Sequence, residues 1–192
     1  MKKLMIALAV VAMAAGVQAA AWTWGVSTTG MIMKPGGSTA EDVLTSGTAY
    51  LFADLTSSQL NSIVSDFAAG TYTPSGYEQT TSVITGGQIT KVNFDDERSA
   101  GTTVNWTMVI TANIDGDDSV FISSALGKQR QTEGKNVKVT FNVLSESSAA
   151  ARSAGDGYAG AGWYQAEAIP EPTTGLLVLL GVAGLALRRR RA

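Results

Sequence analysis

The residue types that carry out much enzyme chemistry are missing from this chain. Its 192 residues include no cysteine and no histidine. Without a thiolate or an imidazole, the chain cannot build a Ser-His-Asp triad, a papain-like dyad or a zinc site with cysteine or histidine ligands. The lack of cysteine also excludes disulfides. A catalytic site in this protein would therefore have to work without these two side chains.

One predicted turn collects four side chains with oxygen atoms, which are Asn113, Asp115, Asp117 and Asp118. Calcium favours such oxygen ligands, but their spacing is not that of an EF-hand, and no glutamate closes the loop. An exposed hairpin turn explains the same residues without a metal. These four residues are therefore weak metal candidates, and the sequence predicts no cofactor.

The carboxylates also make a glycoside hydrolase an alternative function. One acid and one base or nucleophile suffice for glycoside hydrolysis without histidine, but nothing in the sequence selects a pair. The acidic run Asp95, Asp96 and Glu97 is typical of a solvated turn. We therefore expect no catalytic residues and a protein that is not an enzyme, with a carboxylate-dependent glycoside hydrolase as the weakest alternative.

Tryptophans suggest a second alternative, because a flat aromatic face can stack on a sugar ring. Trp22, Trp24 and Trp106 share the parity of apolar strand neighbours, which predicts that they lie in the core. Trp163 follows a stretch rich in Gly, Ala and Ser, so it is the better candidate for exposure. A carbohydrate-binding module thus remains an alternative to a non-enzymatic surface or matrix protein.

Charge is strongly segregated along the chain. Residues 20–169 contain 8 Lys and Arg against 15 Asp and Glu, a net charge of −7. The remaining basic residues lie at the two ends. An acidic body is repelled by phosphate backbones, so nucleic acid is excluded as a partner.

The alternation of apolar and polar residues predicts a mainly β body. In residues 104–114, the apolar Val104, Trp106, Met108 and Ile110 alternate with their neighbours, as in a half-buried strand. Further strands are predicted within residues 135–144 and at residues 22–26, 49–52 and 120–122.

Turn and cap residues add two hairpins and a helix. Gly86 and Gly87 lie between two apolar runs and can adopt the positive φ of a two-residue turn, and residues 115–118 separate another pair of runs. A capping box at residues 56–59, apolar residues at helical spacing and Gly70 predict one short helix. We therefore predict an antiparallel sandwich or open sheet with this helix on one face or edge.

Both ends of the chain read as processing segments. Residues 1–19 combine Lys2 and Lys3, an apolar run and the small residues of a cleavage site, which predicts a secretory signal peptide. In the tail, Pro170 and Pro172 keep Glu171 out of regular structure. The tail ends with the basic residues Arg188, Arg189, Arg190 and Arg191, followed by Ala192.

Residues 173–187 carry no charge, but a helix of 15 residues would reach about 22 Å, short of a hydrocarbon core of about 30 Å. The arginines can snorkel and the bilayer can thin, so a short and easily released anchor is predicted. Clustered Lys and Arg stay on the cytoplasmic side. The charges at both ends therefore predict that the body lies on the far side of the inner membrane from the cytoplasm.

The tail combines the string Ile-Pro-Glu-Pro-Thr-Thr-Gly at residues 169–175, a leucine-rich span and a run of arginines. In this combination it resembles the PEP-CTERM sorting signal of Gram-negative bacteria. The resemblance implies recognition by an exosortase, an integral-membrane enzyme similar to cysteine transpeptidases. It implies that Pro170, Glu171 and Pro172 form the recognition motif, and that the tail is removed at or near its span. Such proteins often accompany exopolysaccharide production, which makes extracellular polysaccharide a candidate partner.

These interpretations divide the chain into four parts. They are the signal peptide 1–19, a β domain 20–146, a flexible linker 147–168 and a sorting signal 169–192 that contains a short transmembrane span, 175–187. We therefore expect a protein exported across the inner membrane, held there transiently, and then placed at the cell surface or in the extracellular matrix.

Overall fold

The computed structural model describes residues 22–26, 30–72, 78–96, 98–131 and 135–166. Within these ranges, eleven strands form a sheet of three strands and a sheet of eight. The helices are α1 (Ser57–Ala68) and the single turn α2 (Leu144–Ser147). The strands are β1 (Trp22–Val26), β2 (Ser46–Ala53), β3 (Glu78–Thr85), β4 (Gln88–Ile89), β5 (Val92–Phe94), β6 (Thr103–Ile114), β7 (Asp117–Ile122), β8 (Leu126–Gln129), β9 (Val137–Phe141), β10 (Arg152–Ser153) and β11 (Gly162–Gln165).

The larger sheet is organised around β6, its longest strand. Its order is β10-β11-β7-β6-β2-β3-β4, and β8 pairs with β6 beyond the end of β7. The strands next to β6 run antiparallel to it, with Ala49 opposite Ile110 and Asn113 opposite Asp118. The mainly β prediction and the five strand predictions are therefore confirmed.

Both predicted hairpins are present. Gly86 and Gly87 join β3 to β4 with φ values of 56° and 74°, and Asp115 and Gly116 join β6 to β7 with φ values of 56° and 103°. Two consecutive residues with positive φ are what a tight two-residue hairpin turn of this type requires. Local turn chemistry therefore sets the register of both hairpins.

The predicted helix is α1, and its ends follow from local chemistry. Thr56 accepts a hydrogen bond from the Gln59 backbone N–H, and the Gln59 side chain accepts one from the Thr56 backbone N–H. At the other end, Gly70 has a φ of 67° and its N–H donates to the carbonyl of Phe67. The capping box and the glycine stop are both confirmed.

Apolar side chains cover both faces of the larger sheet. One cluster packs Trp106, Met108 and Ile110 against the smaller sheet, and the other packs Val109 against α1. The half-buried pattern predicted for residues 104–114 is therefore incomplete, because Val109 is also fully buried. The second face is closed by a helix that lies far away in the sequence.

The smaller sheet has the order β5-β1-β9 and pairs β1 antiparallel with β5 but parallel with β9, so the prediction of an antiparallel fold is wrong for this pair. Its aromatic side chains contact the larger sheet edge to face. The ring centroids of Trp22 and Phe94 lie 5.0 and 5.4 Å from that of Trp106. Such pairs add to the stabilisation from burial, so the three rings fix how the two sheets meet.

The prediction of a flexible linker is wrong for residues 147–166. This segment includes β10 and β11 and follows directly from α2. Ser147 is fully buried and its hydroxyl accepts from the backbone N–H of Met33 at 2.9 Å, while the indole N–H of Trp163 donates to the Met33 carbonyl at 3.0 Å. Two residues of the segment thus satisfy both backbone polar groups of one distant core residue.

Glycine allows this segment to fold closely on itself. Gly162 has a φ of 137°, and a Cβ there would lie 2.9 Å from a guanidinium nitrogen of Arg152. That guanidinium donates to the carbonyl of Ala161 at 2.7 Å and stacks on the Tyr164 ring at 5.7 Å. The small residues serve close packing here, where the sequence analysis interpreted them as a sign of flexibility.

The predicted signal peptide 1–19 and the sorting signal 169–192, with its span 175–187, lie outside the described residues. Within the described ranges, no helix is long and apolar enough to cross a membrane.

Candidate sorting site at the end of the body

The folded body leads into the tail through β11, which is fixed on both sides. β11 pairs with β7 and β10, and Tyr164 is fully buried with its hydroxyl donating to the Gly160 carbonyl. The Gln165 amide donates to the Ser119 hydroxyl at 3.3 Å. Ordered structure therefore continues to within a few residues of Pro170.

A cleft of about 280 Å³ opens beside Ala166, the last described residue. Its walls are the end of α1 (residues 67–70), Tyr72, Asp118 and Ala166. Asp118 is exposed and accepts a hydrogen bond from the Asn113 amide at 2.9 Å. The cleft is thus a mainly apolar recess with one carboxylate in its lining, placed where the chain enters the tail.

Tyr72 carries a buried polar atom next to this cleft. Within the described part of the chain, neither the Tyr72 hydroxyl nor Oε2 of Glu78 has a hydrogen-bond partner. Burial raises the pKa of the Tyr72 hydroxyl well above its usual value, and the nearby Tyr50 and Glu78 raise it further. The folded protein therefore holds Tyr72 in its neutral form at alkaline pH.

We expect Tyr72→Phe to make stability less sensitive to alkaline pH. Above about pH 10 the unfolded chain ionises its tyrosines while folded Tyr72 keeps its proton, so the free energy of unfolding falls as pH rises. Removing the hydroxyl removes this contribution, and near pH 7 the change should be close to neutral because the hydroxyl has no partner to lose among the described residues. Urea unfolding between pH 7 and pH 11 measures both effects.

Tyr158→Phe is the matched control, since burial also raises the pKa of Tyr158. It should flatten the profile less than Tyr72→Phe does. An unchanged alkaline slope in Tyr72→Phe would contradict this account.

The weak metal candidates form a hairpin turn. The Asn113 amide donates to the Gly116 carbonyl and to Asp118, and Asp115 forms an ion pair with Lys34 at 3.0 Å. Among the residues with described positions, no group of three or more Asp, Glu, His or Cys side chains is placed to hold a metal ion. These contacts account for the cluster as turn chemistry.

Two residues of the acidic run, Asp95 and Asp96, do not lie in a fully solvated turn. The Asp96 side chain is 4% exposed and forms ion pairs with Arg98 at 2.7 Å and Arg130 at 3.7 Å. Asp95 pairs with Arg130 at 2.9 Å, and Asp54 pairs with Arg98 at 3.4 Å. Arg98 and Arg130 are distant in sequence from each other, which is why the run alone did not reveal the network.

All four tryptophans are fully buried. This confirms the core prediction for Trp22, Trp24 and Trp106. The prediction that Trp163 is exposed is wrong, because its ring packs at 5.3 Å from Phe121 between the two sheets. Sugar stacking on a tryptophan therefore has no support in this structure.

The tail itself is identified by comparison with known families. Residues 168–191 match the family model of the PEP-CTERM protein-sorting motif. The tail is a PEP-CTERM sorting motif. PEP-CTERM tails are recognised by exosortase, a membrane protein, and they imply export and sorting towards the cell surface. The match begins after the last described residue of the body. No curated protein and no solved structure matches the chain.

The predicted motif residues Pro170, Glu171 and Pro172 and the arginines Arg188 to Arg191 lie within the PEP-CTERM match and outside the described residues. Sequence reasoning found this tail because its signal is local. It missed the cleft at Ala166, whose walls come from α1, β7 and the end of β11. The sequence carries no signal that would have brought these elements together.

Proposed function

We propose that this chain is the precursor of an exported surface protein that a PEP-CTERM tail delivers. Residues 1–19 direct export, and Pro170, Glu171 and Pro172 are the motif that exosortase binds. Residues 175–187 hold the chain in the inner membrane of a Gram-negative cell until the tail is removed. The observation that carries the proposal is the family match over residues 168–191.

The mature body, in this proposal, acts at the cell surface or in the extracellular matrix and is not an enzyme. Its net charge of −7 over residues 20–169 and its lack of histidine and cysteine support that role. The lining of the cleft beside Ala166 includes one carboxylate, that of Asp118, whereas glycoside hydrolysis uses a pair of carboxylates. A polysaccharide partner rests on the resemblance of the tail, since the tryptophans are buried.

Fractionation of the native host with and without its exosortase tests this proposal. With the enzyme, we expect the body outside the inner membrane and without its tail. Without it, the full tail should remain and the protein should accumulate in the membrane fraction. A protein that stayed soluble in the cytoplasm of the wild-type host would refute export and sorting together.

A further inference from the structure

The distance between the folded body and the sorting motif is short. Three residues separate Ala166, the last described residue, from Pro170. Four residue steps span at most about 14 Å even when the chain is fully extended. An α-helix with its side chains is about 10–12 Å wide. The motif thus lies little more than the width of one helix from the body. A membrane enzyme that binds Pro170, Glu171 and Pro172 therefore also contacts the surface of the body.

The surface that it reaches is set by the register of β11. Gln165 lies opposite Ser119, so Ala166 leaves the sheet beside Asp118 and the turn that joins β6 to β7. On one side of this exit lies the cleft formed by residues 67–70 and Tyr72. We propose that this cleft and the Asp118 carboxylate form a second contact surface for the enzyme that binds the sorting motif, so the body takes part in its own processing.

The chemistry of this surface defines the complementary part of the partner. The recess is apolar at Phe67 and Ala68, and its lining includes the exposed Asp118. An apolar side chain flanked by Lys or Arg fits such a surface, and charge complementarity raises the rate of encounter. This inference rests on the proposed function, because it takes the enzyme that binds the PEP-CTERM motif as the partner.

Charge reversal at Asp118 tests the contact in the full chain within its native host. We expect Asp118→Arg to slow removal of the tail by about fivefold or more, as charge reversal in an interface slows association. Asp156→Arg is the matched control, because Asp156 is exposed and precedes the start of β11. It should change the rate less than about twofold. Ala69→Arg, at another exposed wall position, repeats the test if Asp118→Arg does not fold.

A linker variant shows whether slow processing of Asp118→Arg comes from the contact between the enzyme and the body. Ten Gly and Ser residues inserted after Ala166 extend the reach of the motif by up to about 35 Å. The enzyme could then bind the motif without touching the body, so Asp118→Arg and the wild-type body should be processed at the same rate when both carry the insertion. Normal processing of both Asp118→Arg and Ala69→Arg without the linker would overturn the inference, as would a difference between Asp118→Arg and the wild-type body that persists with the linker.

The variant Glu171→Ala distinguishes a failure of the proposed function from a failure of the contact surface. It should slow processing by about ten- to a hundredfold with and without the linker, because it removes the charged residue of the motif. If Glu171→Ala were processed normally, the proposed function would fail. If it were slowed while Asp118→Arg and Ala69→Arg behaved like the wild type, the function would stand and the contact surface alone would be refuted.

Discussion

Replacing Trp163 with alanine is expected to lower the free energy of unfolding by about 3–5 kcal/mol. The indole is fully buried, packs against Phe121 and donates its N–H to the Met33 carbonyl. The variant leaves a cavity between the two sheets and a buried carbonyl without a partner, and both effects destabilise the fold. Urea unfolding of the purified protein, followed by far-UV circular dichroism, measures the loss.

Val83→Ala is the control for this measurement, since Val83 is 56% exposed and should cost less than about 0.5 kcal/mol. A similarly small loss in Trp163→Ala would mean that residues 147–166 are a loose lead-in after all. The large loss that we expect would show instead that the folded body includes residues 147–166 and does not end near residue 146.

Replacing Glu171 with alanine is expected to slow removal of the tail by about ten- to a hundredfold. Hydrogen bonds to a charged group contribute about 1.5–3 kcal/mol, which corresponds to this range of rates when the bond is lost in the recognition complex. Proline restricts its own φ and the conformation of the residue before it, so replacing Pro170 or Pro172 should have a smaller effect in the same direction. Pulse labelling in the native host, with precursor and product separated by size, measures the rates.

Thr174→Ala is the matched control, because Thr174 lies within the matched segment but outside the Pro-Glu-Pro motif. It should be processed at nearly the normal rate. Equal rates for Glu171→Ala and Thr174→Ala would contradict the role assigned to the motif.

Local patterns predicted the elements that local chemistry determines. The alternation in residues 104–114, the paired glycines at residues 86 and 87 and the capping box at residues 56–59 each need interactions within one strand, turn or helix end. The sorting tail belongs to the same class, because its parts are contiguous. These features could be predicted from the sequence and were confirmed.

The elements that the sequence did not reveal are held by distant partners. Residues 147–166 resemble a linker in composition, yet Ser147 and Trp163 both bind Met33, more than a hundred positions away. The side chain of Asp96 is 4% exposed, and one of its two arginine partners, Arg130, comes from just after β8. Such partners become neighbours only when the larger sheet has formed, so no window of the sequence contains them.

Intact mass of the mature protein from its native host tests the central claim most directly, because it reports both ends of the chain at once. We predict a mass that corresponds to a chain beginning near residue 20 and ending within or before the span at residues 175–187, apart from any attached group. A mature protein that kept Arg188, Arg189, Arg190 and Arg191 in the presence of an active exosortase would contradict the claim that the tail is a processed sorting signal.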